Sequence, residues 1–440
     1  MIEQMKPSGI DWIKDIPYSW HTNKVKYLAT ESGTLFLDGD WIESDVIEES
    51  GIRYLTTGNV GAGYYKEQGS GYISEKTFSD LHCLKVYPGD LMISRLNEPI
   101  GRACIVPEGE DFYVVAVDNV ILRPNKAYNK KFIMYAMNTE GYAEHGNMIA
   151  RGATMSRVSR SQLGQFWIAA PNLSEQTAIA EFLDVQCSKL DSIIADLEKQ
   201  IDTLQKYKKS LITETVTKGL DKSAQMKDSG IEWIGEVPQK WDVQRIKDIA
   251  RMQTGTTPPN NEGVNYDGEG MPWFTPADFT DGSIVLNESE KYITSEIINQ
   301  ESIKVFPAHS ILFVGIASVG KIGYCNRKCY SNQQITAIKP KHISASKYIA
   351  YALLASMEHT KSNALYTTVP IINNAYLGTV KIPYPTTTEQ YEIVCFLDME
   401  CQKIDEIIES KISHCKILQQ HKKSLIYEYV TGKKRVTEVK

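Results

Sequence analysis

The chain has 440 residues, of which 42% are hydrophobic and 23% charged, as in an ordinary soluble protein with room for two or three domains. It has no apolar run long enough for a membrane helix, no stretch resembling a secretory signal, and no Cys-x-x-Cys pair among its eight cysteines, which predicts a cytoplasmic protein with reduced thiols. The net charge of −6 argues against nucleic-acid binding unless the basic residues are clustered.

The basic residues are indeed clustered in two places. Residues 119–174 contain seven lysines and arginines and two acidic residues, and residues 302–388 contain nine and one. A chance fluctuation on a solvated surface would explain one such segment. Two separate segments favour two sites for a polyanion.

Taken in chain order, the sequence predicts a mixed α+β protein built from a tandem repeat. The segment 5–13 returns as 226–234, and each copy continues to a proline and a second tryptophan. Later matches at offsets of 219 and 214 indicate a shared scaffold whose loops differ in length. The tryptophans are predicted to be packing anchors rather than base-stacking platforms: Trp12, Trp20, Trp233 and Trp241. Strands are predicted at 91–94, 114–117, 119–122, 311–314 and 335–338, and short helices at 131–138 and 347–357.

Each copy closes with a long predicted helix. Apolar residues recur at alternating spacings of four and three residues from Leu183 to Leu211 and from Leu397 to Leu425. In each series one expected apolar position is occupied by a lysine instead, Lys208 or Lys422. Asn172 and Thr386 stand three residues before a glutamate, the spacing of a reciprocal helix cap. Gly219 and Gly432 are predicted to end the helices.

A helix of about 40 residues with an apolar seam needs a partner in water. We expect the two helices to pair with each other, intramolecularly and antiparallel, because a duplication related by a pseudo-two-fold axis then buries both seams. Pairing with another protein is the alternative. The predicted organisation is a globular copy at 1–171, a helix at 172–219, a second globular copy at 220–385 and a second helix at 386–432.

No complete catalytic motif is present. The loop from Gly315 to Lys321 resembles a phosphate-binding loop, but Ile322 stands where a magnesium-binding serine or threonine belongs, and the first copy has no such loop. A glycine followed by a basic residue at the same place in both copies instead predicts a turn near DNA phosphate. Cys325 and Cys329 have no second pair at zinc-site spacing, so no metal site is predicted.

The repeated motifs resemble those of the specificity subunits of type I restriction–modification systems. These motifs are the Met-Lys-x-Ser-Gly-Ile-x-Trp-Ile openings, the Pro-x-x-x-Glu-Gln helix starts and the Lys-Lys-Ser-Leu-Ile segments at 208–212 and 422–426. The resemblance covers the whole chain. It implies a non-catalytic subunit whose two target recognition domains each read half of a split DNA site, while the helices set the spacer and dock two modification subunits. Restriction subunits join that core, and S-adenosylmethionine, ATP and Mg²⁺ belong to the partners.

Candidate DNA contacts follow from side-chain chemistry, because arginine can bind phosphate or guanine and asparagine can pair with adenine. In the first copy they are Arg95, Asn97, Arg102, Arg151, Arg157 and Arg160. In the second copy they are Thr256, Lys321, Arg327, Asn332 and Gln333. Two other protein classes remain open: an ATP-using enzyme, resting on the Gly315 loop, and a structural scaffold whose domains bind proteins.

Overall fold

The computed structural model describes residues 4–68, 71–96, 99–150, 156–261, 263–286, 288–301, 303–362, 365–366 and 370–436. The chain forms two compact units, one made of residues 1–196 with 414–440 and the other of residues 197–413. Each unit therefore contains one globular copy and a segment of both long helices. No helix in the described part of the chain has the length and apolarity needed to span a membrane.

The first copy is built on an antiparallel four-stranded sheet in the order β4-β10-β7-β8, beside a smaller sheet in the order β6-β5-β9. Its strands are β1 (Met5–Pro7), β2 (Asp15–Pro17), β3 (His21–Lys24), β4 (Leu35–Asp38), β5 (Ile52–Leu55), β6 (Gly71–Ile73), β7 (Leu91–Ser94), β8 (Ala103–Ile105), β9 (Val114–Val115), β10 (Asn119–Arg123) and β11 (Trp167–Ala170). Its helices are α1 (Glu75–Asp80), α2 (Lys130–Met137), α3 (Glu140–Ile149), α4 (Arg160–Leu163) and the long α5 (Leu173–Lys218).

The second copy repeats this plan with a four-stranded sheet in the order β15-β22-β19-β20. Its strands are β12 (Met226–Asp228), β13 (Glu236–Pro238), β14 (Asp242–Arg245), β15 (Ala250–Thr254), β16 (Val264–Asn265), β17 (Met271–Phe274), β18 (Tyr292–Ile293), β19 (Ser310–Val314), β20 (Ile322–Cys325), β21 (Tyr330–Ser331), β22 (Ile335–Pro340), β23 (Leu365–Tyr366), β24 (Pro370–Ile371) and β25 (Lys381–Tyr384). Its helices are α6 (Ile246–Ile249), α7 (Ser295–Gln300), α8 (Ser346–Ser362), α9 (Asn374–Thr379) and the long α10 (Thr387–Val430).

The predicted mixed fold and the repeat are confirmed. The predicted strands correspond to β7, β9, β10, β19 and β22, and the predicted short helices to α2 and α8. Trp20 and Trp241 are both 1% exposed, as expected of packing anchors. Each tryptophan packs against the glycine that ends a long helix, Gly432 beside Trp20 and Gly219 beside Trp241, and both glycines have the positive φ that favours this residue type.

The long helices begin at the predicted caps. Asn172 Oδ1 accepts from the backbone N–H of Glu175 at 3.0 Å, and Thr386 exchanges hydrogen bonds with Glu389 through its own backbone N–H and its hydroxyl. These bonds satisfy amide groups that have no partner inside the helix. The reciprocal cap predicted at 386 is thus complete.

Within each unit, segments of α5 and α10 pair antiparallel, as the seams predict. In the first unit Asp191 binds Lys422, and Phe182 packs on Tyr429. In the second unit Lys208 donates to both carboxylate oxygens of Asp405 at 2.7 and 2.8 Å. In both units, therefore, the lysine that occupies an expected apolar position binds an aspartate of the opposite helix. Such a pair specifies the register, since sliding one helix would leave a charge without its partner.

Candidate nucleic-acid interface

In the first copy, four chain segments meet at the end of the four-stranded sheet. Strand β4 ends at Asp38, and Gly39 follows because a Cβ there would lie 2.2 Å from the Val115 carbonyl oxygen. The backbone N–H of Arg95 donates to the carbonyl of Asp118 at 2.7 Å, and the carbonyl of Arg95 accepts from Val158 at 3.2 Å. The segment 156–163, which we call the first crossing segment, is thereby held against the sheet.

These segments bring five charged side chains together, which we call the first site: Asp38, Arg95, Asp118, Arg157 and Arg160. The Arg95 side chain, 12% exposed, lies between both carboxylates, with Nη2 at 3.1 Å from Asp118 Oδ1 and Nε at 3.3 Å from Asp38 Oδ1. Its burial between two acids makes it the centre of the network.

Arg157 and Arg160 form the outer part of the first site. Arg157 Nη1 lies 3.8 Å from Asp118 Oδ1, and Arg160 Nε lies 3.6 Å from Asp38 Oδ2. Their side chains are 63% and 39% exposed. Three arginines against two aspartates leave a formal excess of one positive charge, which suits a negatively charged ligand.

Two adjoining depressions of about 390 and 510 Å³ open at this site, and Arg95 lines both. Trp41 lines the first and is 70% exposed. An exposed indole beside arginines offers a stacking face next to hydrogen-bond donors. Sequence reasoning missed Trp41 and both aspartates, because no motif links residues 38, 41 and 118 along the chain.

The second copy builds the same backbone frame. Strand β15 ends at Thr254, and Gly255 follows with equally little room, since a Cβ there would lie 2.2 Å from Ser331 Oγ. The N–H of Gly315 donates to the carbonyl of Gln334 at 2.8 Å, and its carbonyl accepts from Ile372 at 2.9 Å. Gly315 thus takes the place of Arg95, and residues 370–377 form the second crossing segment.

The equivalent positions carry different chemistry, and together they form the second site: Thr254, Gly315, Gln334, Ile371 and Asn374. They correspond in order to Asp38, Arg95, Asp118, Arg157 and Arg160. Asn374 Nδ2 donates to Thr254 Oγ1 at 2.9 Å, and Asn374 Oδ1 accepts from Thr336 Oγ1 at 2.7 Å. All five positions are uncharged, and a network of one amide and two hydroxyls, those of Asn374, Thr254 and Thr336, takes the place of the charged network.

The other candidates of the second copy divide into neighbours of this site and a separate residue. Asn332 Nδ2 donates to Gln334 Oε1 at 2.9 Å, and the exposed Gln333 accepts from Thr257. Thr256 is half-buried and its backbone donates to Ser331. Arg327 is exposed on the loop between β20 and β21. Asn97 and Arg151 of the first copy lie outside the described residues.

Arg102 requires a correction, whereas Lys321 stays a candidate. The Arg102 guanidinium donates to the carbonyl oxygens of Val60, Leu96, Pro99 and Thr57 at 2.8 to 3.1 Å, and burial lowers its pKa. Lys321 Nζ donates to the Phe279 carbonyl at 3.1 Å. Four carbonyl oxygens occupy the Arg102 guanidinium, so the interpretation of Arg102 as a phosphate contact is replaced by a structural one. Lys321 uses one of its three donors, and its contact with DNA phosphate stays a prediction. The chain after Lys321 continues as strand β20 rather than a helix, unlike a nucleotide-binding loop.

The sequence model of the type I restriction modification DNA specificity domain matches residues 36–204 and 238–430, which is most of the chain and both copies. The chain belongs to this family. It is a specificity subunit, a class in which catalysis lies in partner subunits.

Known relatives agree in sequence and in fold. The putative MjaX specificity subunit of Methanocaldococcus jannaschii is 27% identical, with 83% of each chain covered. The EcoBI specificity subunit of Escherichia coli is 26% identical over 78% of this chain and 70% of its own. A chain from a structure on assembly and conformational transition of the type I R-M system superposes with a TM-score of 0.70 at 16% identity, covering 94% of this specificity subunit and 98% of that chain. The HsdS subunit of Thermoanaerobacter tengcongensis gives 0.50, covering 95% and 98%.

Proposed function

We propose that each copy of this specificity subunit reads one half of a bipartite DNA site, through the first site in one copy and the second site in the other. The observation that carries this proposal is the repeated frame with changed chemistry. Two copies of one scaffold that presented the same groups would read the same half-site twice. Charged groups in one site and amide and hydroxyl groups in the other suit two different base sequences.

The proposed partners are double-stranded DNA, two modification subunits and the restriction subunits. S-adenosylmethionine, ATP and Mg²⁺ would be bound by those partners, and this chain would supply the choice of sequence. Relatives that are named as subunits of type I restriction enzymes support this division of labour. The alternative function as an ATP-using enzyme rested on the resemblance of the Gly315 loop to a phosphate-binding loop. It is not supported, because Lys321 binds a backbone carbonyl and strand β20 follows it in place of a helix.

An exchange of one copy tests the two-reader proposal. Replacing Trp20–Pro171 by the equivalent region of a relative should change one half of the methylated site and leave the other half and the spacer as they were. Methylome sequencing of a host that carries the chain with its modification subunits gives the result. A change in both halves would contradict the proposal. The absence of any sequence-dependent methylation in the parent would favour a scaffold that binds proteins.

We also propose that the long helices set the spacer between the half-sites. Both helices contribute to both units, and the two Lys–Asp pairs specify their register. Inserting four residues after Asp196 and four after Ser413 lengthens each helix by about 6 Å, nearly two base pairs of DNA. The methylated site should gain one or two spacer base pairs with both halves unchanged. An assembled variant that methylates the parental spacing would show that the helices do not set this distance.

A further inference from the structure

A lysine follows the third strand of each copy at the same place. Strand β3 ends at Lys24 and strand β14 at Arg245, and a second basic residue stands two positions later, at Lys26 and Lys247. In both copies the two basic residues flank one buried apolar residue. The five positions of the first and second sites, by contrast, all differ.

Each of these lysines packs against a glycine that follows the crossing segment of its copy. A Cβ at Gly164 would lie 3.1 Å from Lys26 Cβ, and a Cβ at Gly378 would lie 3.3 Å from Lys247 Cβ. A larger residue at either glycine would crowd the stem of the lysine. Both copies therefore preserve room for a lysine at this place.

An apolar side chain also lies against each glycine. It is Phe36 in the first copy and Met252 in the second, each with an atom 3.0 Å from the position that a Cβ would take. Phe36 lies two residues before Asp38, and Met252 lies two residues before Thr254, so each shares a strand face with a residue of the first or second site. The two lysines therefore occupy the same place beside the two sites.

The surroundings of Lys26 carry an excess of positive charge. Lys26 lines the depression of about 510 Å³ together with Arg95, Arg160 and Asp38, which leaves an excess of two formal positive charges. Asp38 lies against the two arginines. The Lys26 ammonium lies 4.8 Å from the centre of the exposed Tyr27 ring, and it forms no ion pair with any residue that the structure describes. This charge favours an anionic ligand.

The second copy reaches the same excess with different residues. Arg245 Nε donates to Asp248 Oδ2 at 2.7 Å, and Lys341 Nζ donates to the Asp248 carbonyl at 2.7 Å. With Lys247 these are three cations around one carboxylate. Lys247 is exposed and, like Lys26, forms no ion pair within the described part of the chain. Both ammonium groups retain their donors for a ligand.

A residue that stays the same while its neighbours change suits the part of DNA that is the same at every step. The bases differ between two half-sites, whereas the phosphate groups do not. An ammonium group is a compact charge with three rotatable donors and lacks the planar fork that recognises guanine, so it suits a phosphate oxygen. Its stem packs on the scaffold, which reduces the entropy lost on binding.

We infer that Lys26 and Lys247 bind DNA phosphate, one in each half-site, and set the position of each copy on the duplex independently of the base sequence. The first and second sites then present different side chains to the bases from an equivalent position. This inference rests on the proposed function, because it assigns a shared phosphate contact to the two copies that read the half-sites. Both lysines lie outside the basic segments 119–174 and 302–388, so the clustering of charge in the sequence did not reveal them.

The salt dependence of DNA binding tests the role of the charge. Lys26→Gln and Lys247→Gln keep a polar side chain of similar length and remove the positive charge. Each should lower the slope of log affinity against log salt concentration by about 0.9, and the double variant by about 1.8. Between about 50 and 200 mM salt, the affinity of the parent complex for its bipartite duplex should fall about 3- to 4-fold more than that of either single variant, and about 12-fold more than that of the double variant. The complex with the modification subunits is used throughout.

Uncharged phosphate analogues test the contact itself. In a set of duplexes, one phosphate at a time is replaced by a neutral methylphosphonate. One replacement in one half-site should weaken binding by the parent complex and have no effect on Lys26→Gln. A different replacement, in the other half-site, should weaken binding by the parent and have no effect on Lys247→Gln. A replacement that a variant no longer senses identifies the phosphate that the missing ammonium binds.

Lys126→Gln is the matched control. Lys126 is exposed and follows the end of strand β10 that is remote from Asp118. It also lies within the basic segment 119–174, so it removes one charge from the same copy. The salt slope of this variant should equal that of the parent, and every methylphosphonate should affect the two alike.

The outcomes separate this inference from the proposed function. A parent complex that bound all duplexes alike would contradict the proposed function itself. A parent that selected a bipartite site, with the parental salt slope in both lysine variants, would overturn this inference alone. A changed base in the methylated site of either variant would indicate a base contact, and loss of assembly with the modification subunits would indicate a protein contact. Each of these two results would also overturn the assignment to phosphate.

Discussion

The two copies of the repeat differ most where they could bind DNA and least where they hold themselves together. Asp184 accepts hydrogen bonds from Tyr135 at 2.8 Å and Lys131 at 2.5 Å in the first copy. Asp398 accepts the same pair of bonds from a tyrosine and a lysine of α8 in the second, at 2.9 and 2.6 Å. These contacts dock a short helix on a long one, and they keep both residue types.

The first and second sites show the opposite behaviour, because all five positions change from charged to uncharged. The difference teaches that the backbone frame is stabilised by the sheet, by the glycine after the first strand and by the crossing segment. The side chains at the rim are not needed for that purpose. A change of recognised sequence therefore costs the scaffold little.

The two Lys–Asp pairs between the long helices test whether equivalent contacts contribute equally to the stability of the two units. Lys208 is 9% exposed in its pair with Asp405, whereas Lys422 is 30% exposed in its pair with Asp191. Asp405→Leu leaves a buried ammonium without a partner and should lower the free energy of unfolding by about 2–4 kcal/mol. Asp191→Leu leaves a hydrated ammonium and should cost about 1 kcal/mol or less. Urea unfolding of the full chain measures both, and equal losses would contradict the burial argument.

Arg102 and Lys321 each bind loops of their own copy, and the loss of stability on substitution should follow the number of hydrogen bonds that each makes. Arg102→Met leaves four carbonyl oxygens without their donor and should destabilise the first unit by about 2–3 kcal/mol. Lys321→Met removes one such bond and should destabilise the second unit by about 1 kcal/mol. Thermal unfolding is the measurement. Arg102→Met should leave the salt dependence of DNA binding by the assembled complex unchanged, and a lower slope of log affinity against log salt concentration would restore its interpretation as a phosphate contact.

The anchoring tryptophans differ in one hydrogen bond. Trp241 Nε1 donates to Glu389 Oε1 at 2.9 Å, while Trp20 Nε1 has no partner among the described residues. Both lose the same volume on substitution by phenylalanine. Trp241→Phe should therefore cost about 1–2 kcal/mol more than Trp20→Phe at neutral pH, as measured by urea unfolding.

Acid should remove that difference. Burial raises the pKa of Glu389, but hydrogen bonds from Trp241 and Thr386 outweigh it and hold the pKa below its usual value. A carboxylate with a depressed pKa in the folded state stabilises the fold above its unfolded pKa, and this contribution is lost as pH falls through the folded value. A difference between the two variants that persisted at pH values well below 4 would contradict this account.

The smallest expected effect concerns salt. Arg157 is exposed at the rim of the first site, and Ile371 stands in its place in the second. Arg157→Ala should lower the slope of log affinity against log salt concentration by about 0.9, the value for one phosphate contact. Ile371→Ala should leave the slope unchanged. An unchanged slope in Arg157→Ala would show that Asp118 fully neutralises this arginine.

Local patterns in the sequence were sufficient for the repeat, the long helices and their caps. The heptad series, the Asn172 and Thr386 caps and the two closing glycines depend on residues a few positions apart, so they can be recognised in the sequence. Lys208 and Lys422 were visible in the sequence because they interrupt the heptad pattern of apolar residues. Their aspartate partners were not, because each stands on the other helix, about 200 residues away.

The first and second sites could be predicted only in part for the same reason. Arg95, Arg157 and Arg160 were singled out by residue type, and the structure brings them together around Asp38 and Asp118. Arg102 has the same type and lies near Arg95 in sequence, but four carbonyl oxygens surround it. A basic side chain cannot be assigned to a ligand or to the fold until the loops around it are known.

The composition of the two units also affects the order in which they can form during synthesis. The second unit is one continuous stretch, residues 197–413, whereas the first needs residues 414–440 to complete its core, where Leu425 and Val430 are buried. At about 5–20 residues per second, a ribosome takes roughly 10–50 s to travel from residue 196 to residue 430. The nascent first unit therefore exposes part of its apolar core for that time, and a chaperone that covers the start of α5 would protect it from aggregation.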